Sequence, residues 1–422
     1  MPLYISDLRV VRFNESAGVR HQAISANAEE VVSFIASQKT NYTDSLKVRF
    51  EREGAFFFDL YHDSAAYLES WVKTNKVIDF GFDGYTNVVL SILRELKPNV
   101  LLSQHAPRIS RDAFREIKRI IPSIQLTVIH FGFRLEDAAL EGFDVLLFGF
   151  PGFFKLYKDR PQRKELFYHY FDPEIYSTLD LCAPSESSRL GAVTFLGTSG
   201  YGRLNHTTRY EVLHSLLKQE LIVAWLEEKD GLDDRGQQAT VDRLLRHALR
   251  DFSGDGLAAL SRRDDGIGGF VRKYLGSLGS RADWQIKAPP PALRLSELFP
   301  SRCHSAVHGL EYYRVLGQHA ATVNIHADMI DGSAGNLRLF QATGMGTCLI
   351  TEDAYNISDL FSENEVLIYR SSSELEDIIR EGHKDPRIFS ETARRGLAAC
   401  HSRHSVDVRY FQLKGILSEM LD

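Results

Sequence analysis

The chain has 422 residues, more than one hydrophobic core serves comfortably, so two or three domains are expected. Hydrophobic residues at 44% and charged residues at 25% match soluble globular usage and exclude a disordered or fibrous chain. Against 56 Asp plus Glu stand 50 Lys plus Arg, and the resulting charge of −6 gives no general attraction to nucleic acid.

Cys182, Cys303, Cys348 and Cys400 stand far apart with no CxxC pair. That spacing speaks against a disulfide framework or structural zinc and fits a reducing compartment. The opening MPLYISDLRVVRF lacks the basic-then-apolar layout of a signal peptide. The most apolar window, 143–154, is interrupted by Gly149, Pro151 and Gly152 and falls short of the ~20 residues of a membrane span. A cytoplasmic protein is expected.

Short apolar runs alternate with helical patterns along the chain. The run at 100–102 precedes an amphipathic stretch at 110–121, and runs at 126–129 and 144–148 follow. The rhythm restarts at 192–196 and continues at 221–225, 321–325 and 347–350. Such runs spaced by helices predict parallel strands covered on both faces, in two α/β units. The seam is expected in the irregular stretch 177–190. Residues 251–291, with Gly254, Gly256, Gly266, Gly268 and Gly269 among their glycines and the prolines at 289–291, read as a surface excursion that is helical around 270–278. The segment KLYKDRPQRK (155–164) carries five positive and one negative residue. It reads first as a solvated connection, with contact to an anionic acceptor or lipid surface as the alternative.

Two constellations lie in the C-terminal half. In FLGTSGYGR (195–203), a strand ends in Gly197, Thr198 and Ser199 and leads to a helix over 208–218. Backbone amides in such a loop approach a phosphate closely, and Arg203 supplies a full charge. The glycine spacing is not GxGxxG, and a plain turn is the alternative. The second runs from the strand at 322–325 through Ser333, Ala334 and Gly335 into a helix beginning after Asn336. Asn336 is expected to N-cap that helix behind a small-residue nest. Both helix starts point at the C-terminal edge of one parallel sheet, where ligands bind in open α/β sheets.

The run from Gly335 to Ile379 resembles the C-terminal signature of the spore-maturation-type (CgeB-like) glycosyltransferases. Asn336, Arg338, Phe340, Gly344, Gly346, Leu360, Phe361, Glu365, Val366, Tyr369, Glu374 and Leu375 match in order. Upstream, His308, Gly309, Leu310 and Tyr313 resemble the family's nucleotide-side loop. The likeness covers residues 191 to 422, and residues 1–180 only loosely. It implies an α/β fold of two Rossmann-like domains facing a cleft (GT-B type). The nucleotide-sugar would lie in the C-terminal domain (190–400) and the acceptor in the N-terminal one (1–183). A C-terminal helix (401–422) would cross back to the N-terminal domain.

The resemblance also implies a bacterial enzyme of surface polysaccharide or other glycoconjugate synthesis, with a glycan or lipid-linked acceptor and peripheral membrane contact left open. Gln341 stands where relatives carry Glu for the ribose hydroxyls, and keeps only an uncharged acceptor. Ser333 replaces the first glutamate of the paired motif in retaining relatives, which points mildly to inversion.

Donor chemistry needs a stabilised diphosphate and, for inversion, a base for the acceptor hydroxyl. No convincing Asp-x-Asp loop is present, so no metal or other cofactor is expected and the diphosphate falls to helix termini, Arg203 and Arg338. The Asp pairs at 233–234 and 264–265 read as exposed charge. Candidate bases at strand ends are His105, His130, and His62 with Asp63, against a structural role for each. His130 is preferred, because Phe131-Gly132-Phe133 beside it offers a platform for a sugar; Glu15 and Asp83 stay open. His401 and His404 read as helix-start residues of one long amphipathic C-terminal helix. A sugar-nucleotide epimerase of the same twin-domain fold and a catalytically silent sugar-nucleotide-binding module are the competing readings.

Overall fold

The computed structural model describes residues 3–8, 36–37, 39, 45–60, 65–104, 107, 109–179, 190–201, 207–228, 293–326 and 332–421. They fall into two compact units. The first holds the chain to Ile175, with His308–Leu310 and the residues from Ser402; the second holds Tyr176–Val307 and Glu311–His401.

The sheet of the first unit contains β1 (Tyr4–Leu8), β2 (Phe56–Leu60), β3 (Val100–Gln104), β4 (Leu126–Phe131), β5 (Val145–Phe148) and β6 (Arg163–Leu166). The order is β2-β1-β3-β4-β5-β6, and every neighbouring pair is parallel. All residues of β4 and β5 are buried, as continuous apolar runs require when helices cover both faces. Strand β6 (RKEL) is polar and half-buried, a composition that blunts a sheet edge. The segment 155–164 is thus more than a solvated connection: it spans the end of the Gly152–Leu156 helix and enters this edge strand.

The helix expected from residue 401 onwards is two helices, Arg387–Arg403 and Val406–Leu421. They part where Phe171 donates its N–H to His404 O (2.9 Å) and Val406 donates to Phe171 O (2.9 Å). His401 therefore lies near the end of a helix, and His404 at the break. Within the first unit the Val406–Leu421 helix buries Val406, Tyr410, Leu413, Ile416 and Leu417, one face at spacings of three and four. Tyr410 meets Phe50 of the Ser45–Arg52 helix edge-on, with ring centroids 4.8 Å apart. Beside them the buried Arg49 binds three carboxylates: Asp407 at 2.9 Å, Glu174 at 3.1 Å and Asp172 at 3.3 Å. Asp172 is 1% exposed, and that guanidinium is the counter-ion that offsets its desolvation.

The sheet of the second unit contains β7 (Leu190–Thr198), β8 (Ile222–Glu227), β9 (Cys303–Ser305), β10 (His319–Asn324), β11 (Cys348–Glu352) and β12 (Leu367–Tyr369). All pairs are parallel, in the order β12-β11-β10-β7-β8-β9. Counted from β7, the order reads 3-2-1-4-5-6, that of a dinucleotide-binding Rossmann sheet. The strand order reverses between β7 and β10, and in open α/β sheets ligands bind outside the carboxyl ends of the strands at such a point. Val193, Phe195, Ala224, Val323 and Ile350 form the core of one face with Leu213, Leu217, Leu375 and Ile379.

Candidate active site

The carboxyl ends of β7 and β10 are joined by a residue that sequence reasoning missed. Arg209, on the Thr207–Lys218 helix, is 7% exposed. Its Nη1 donates to Thr198 Oγ1 (2.9 Å) and Thr198 O (3.4 Å), and its Nη2 to Ile325 O (2.9 Å). One guanidinium thereby fixes the spacing of the strands that flank the topological reversal. The signal was present in the sequence: an arginine in a first helical turn that holds no acid, against the helix dipole.

Arg338 is the second residue of the Leu337–Gly344 helix. Its guanidinium carbon lies 4.5 Å from the Phe195 ring centroid, and Nη2 donates to Leu196 O. Nε and Nη1 are buried and have no hydrogen-bond partner among the described residues. Unmet donors on a charged group are costly, and an anionic oxygen is the acceptor they lack. Gly197, at φ 135°, passes directly beneath this guanidinium. Ser199 is fully buried, and its hydroxyl accepts the N–H of Tyr201 (3.1 Å).

Asn336 stands at the expected N-cap position, yet its side chain makes no cap hydrogen bond. The amide instead donates to Asn324 Oδ1 (2.5 Å), while Asn324 Nδ2 reaches Thr351 Oγ1 (3.0 Å). A neighbouring strand end outcompetes the helix for this side chain, and the first-turn amides are left without a side-chain cap. The nest expected over Ser333, Ala334 and Gly335 also needs correction. Asn356 takes both the N–H (2.7 Å) and the C=O (2.9 Å) of Ala334, and Ser333 is fully buried. Gln341 is buried, with Nε2 donating to Tyr313 Oη (3.1 Å), so Oε1 is its remaining acceptor.

His326 follows β10. Its backbone N–H donates to Glu352 Oε2 (3.1 Å) and its Nε2 lies 3.1 Å from Glu352 O, an arrangement that places the proton on Nε2. Burial pushes its pKa down to about 4. His308 is exposed and Gly309 buried at φ 57°; with Leu310 they group with the first unit. Arg203, His105, His62, Asp63 and Glu15, like the stretches 180–189 and 251–291, lie outside the described residues.

His130 sits inside β4, one residue before its end, rather than after the strand. It is 7% exposed, Nε2 lies 3.0 Å from Phe167 O, and burial pushes its pKa down to about 4. A cavity of about 10 Å³ adjoins it, lined also by Gln104, Phe167 and Tyr170, with room for about one water. Phe131 offers no platform: it is fully buried among Phe148, Phe153 and Tyr157. The less buried imidazole here is His169, whose ring centroid lies 5.3 Å from that of His130 and whose Nε2 overlies Gly132 and Gly149. Sequence reasoning passed it over because it follows a polar edge strand. Asp83 caps the Gly84–Leu96 helix, accepting from Thr86 N (2.9 Å) and Thr86 Oγ1 (2.6 Å). Those bonds hold its pKa below the ordinary value.

Among the described residues no three His, Cys, Asp or Glu side chains gather to hold a metal ion. No described helix is long and apolar enough to cross a membrane.

Residues 259–415 match the family model described as glycosyl transferase-like, so the chain carries a sugar-transferase domain. No curated protein matches the sequence. Among solved structures, sucrose-phosphate synthase from Thermosynechococcus elongatus aligns at TM-score 0.52 and 10% identity, over 99% of this chain and 98% of that one. The Anabaena protein HepE, in complex with UDP-glucose, aligns at TM-score 0.52 and 11% identity over 99% of this chain and all of the other. A glycosyltransferase from Rickettsia africae aligns at TM-score 0.52 and 8% identity, over 100% and 99%. At these identities the likeness establishes the fold: an α/β protein of two Rossmann-like units, as in GT-B glycosyltransferases.

Proposed function

We propose that this chain is a CgeB-like glycosyltransferase that moves a sugar from a nucleotide-sugar to a glycan, lipid-linked or other glycoconjugate acceptor in bacterial surface polysaccharide synthesis. The observation that carries the reading is Arg338, which holds two buried donors without partners beside the reversal point of the second sheet. A diphosphate oxygen supplies what those donors lack, and the uncapped amides of Leu337 and Arg338 add the partial charge of a helix start.

In this reading Gly197, Thr198 and Ser199 form the backbone floor under the diphosphate, and Arg209 keeps that floor rigid. Ser333, Gly335 and Asn336 shape the approach to the helix, and Arg203 adds a second cation. Gln341 meets the ribose through Oε1 while Tyr313 fixes its amide. His308, Gly309 and Leu310 contact the base through backbone groups. As the bond to the sugar breaks, charge grows on the leaving diphosphate, and a fixed cation stabilises that charge more than the ground state. In this reading helix starts and arginines carry the diphosphate charge, and no metal is invoked. The acceptor belongs to the first unit, where His169 is a better-placed base than His130: an imidazole held near pKa 4 takes up little proton at neutral pH.

HepE has been crystallised with UDP-glucose, so uridine diphosphate is the first nucleotide to try. Thermal unfolding of wild type and Arg338→Ala with uridine, guanosine, thymidine and cytidine diphosphates tests the reading. One nucleotide should raise the wild-type Tm and leave the variant unmoved; if none shifts the wild type, the site is misassigned. Incubation with the matching nucleotide-sugars then separates transfer or slow hydrolysis from epimerisation and from binding without turnover.

A further inference from the structure

The five-residue Gly152–Leu156 helix ends with three consecutive exposed residues, Phe154, Lys155 and Leu156. Phe154 is 37% exposed and Leu156 40%, while Phe153 and Tyr157 on either side are buried in the core. The helix is anchored by those two rings and by the edge of Phe154 against Phe148 (centroids 5.0 Å apart), so its tip is presented rigidly. Lys155 and Lys158 are exposed and make no ion pair among the described residues. Arg163 is spoken for by Glu165 and Glu419, and Asp159 is the one acid in the segment 155–164. A locally basic, apolar-tipped knob thus stands on a chain whose overall charge is −6.

We infer that this knob docks the protein on an anionic bilayer. Neither of its parts suffices alone. Two half-exposed apolar side chains give shallow insertion, and lysines near an anionic surface add roughly fivefold in affinity each; together they make the pair of weak signals that reversible membrane binding needs. Charge complementarity selects anionic over zwitterionic lipid. The net charge of −6 opposes attraction of the chain as a whole, and the attraction of these lysines is screened by salt. The inference stands apart from the assignment of the nucleotide site, since it concerns a surface of the first unit only.

The full chain should co-float with vesicles of phosphatidylcholine containing about 30% phosphatidylglycerol at low salt, and not with phosphatidylcholine alone. Lys155→Glu/Lys158→Glu should weaken this at least tenfold, and Leu156→Ser severalfold, with circular dichroism and Tm unchanged. Phe154 is left in place because its ring packs on Phe148. Lys218→Glu/Lys384→Glu, an equal change of charge at exposed positions of the second unit, should bind like wild type. Absence of wild-type binding at low salt overturns the inference, as does equal loss in both double variants. Undiminished binding by Lys155→Glu/Lys158→Glu overturns it too. None of these outcomes bears on nucleotide binding, which the thermal-shift series reads separately.

Discussion

Gly197 and Arg338 are fitted to each other: a Cβ on Gly197 would lie 2.5 Å from Arg338 Nη2, and the glycine's φ of 135° is one that side chains rarely adopt. Gly197→Ala should therefore strain the backbone by about 1–3 kcal/mol and push the guanidinium off Phe195. We expect a lower Tm together with roughly tenfold weaker nucleotide binding. Calorimetric titration that finds unchanged affinity would remove Gly197 from the site.

Arg338→Ala deletes the charge aimed at the diphosphate. The expected loss in kcat/KM is about 10- to 150-fold, or about 1.5–3 kcal/mol for a bond to a charged group. Arg338→Lys should recover only part of it, because an ammonium neither stacks on Phe195 nor offers the same fork of donors. Steady-state kinetics with the donor identified by thermal shift decide the matter, and a silent alanine variant would disprove the site map.

Arg209→Met should act through stability first. It strands the buried carbonyl of Ile325 and removes a partner of the half-buried Thr198, at a cost of about 1–3 kcal/mol. Urea unfolding should show a lower midpoint with an unchanged slope.

Arg49→Met leaves Asp172 buried without its counter-ion. Breaking such a pair from one side costs about 3–5 kcal/mol, and adding Asp172→Asn should return part of it. A double-mutant cycle by chemical unfolding measures the coupling.

His130 and His326 set an acid limit. Both are neutral in the fold, with pKa values pushed down to about 4 by burial, against about 6.5 in an unfolded chain. Below pH 6.5 the unfolded state takes up protons that the native state refuses, so stability falls as pH drops from about 6.5 towards 4. Each histidine accounts for at most about 3 kcal/mol over that window. Tm should decline steadily there, and His130→Gln should flatten the decline; an unaltered slope would rule His130 out as a source.

Strands with unbroken apolar runs were legible in the sequence, because burial on both faces leaves a pattern that needs no partner to be read. β1 was not, since Ser6 and Asp7 interrupt its run and only pairing with β2 and β3 makes it a strand. β6 escaped for the same reason: Arg163, Lys164 and Glu165 read as surface until β5 is beside them. At the candidate site, Gly197 and Arg338 were singled out by motif, whereas Arg209 left only the faint signal of an arginine in an acid-free first turn, and its role of spanning two strand ends far apart in sequence shows only in the fold. Asn336 was read as a cap from local preference. The contact that decides its rotamer comes from Asn324 on another element.

The return of the Val406–Leu421 helix to the first unit carries a consequence for biosynthesis. A ribosome makes all of the second unit before it makes the helix whose Asp407 and Tyr410 close over Arg49 and Phe50. Until then Phe50 and Arg49 of the earlier unit lack those two contacts, while every residue of the later unit has been made. The unit that begins first is therefore the one whose last contacts are made at the end of translation.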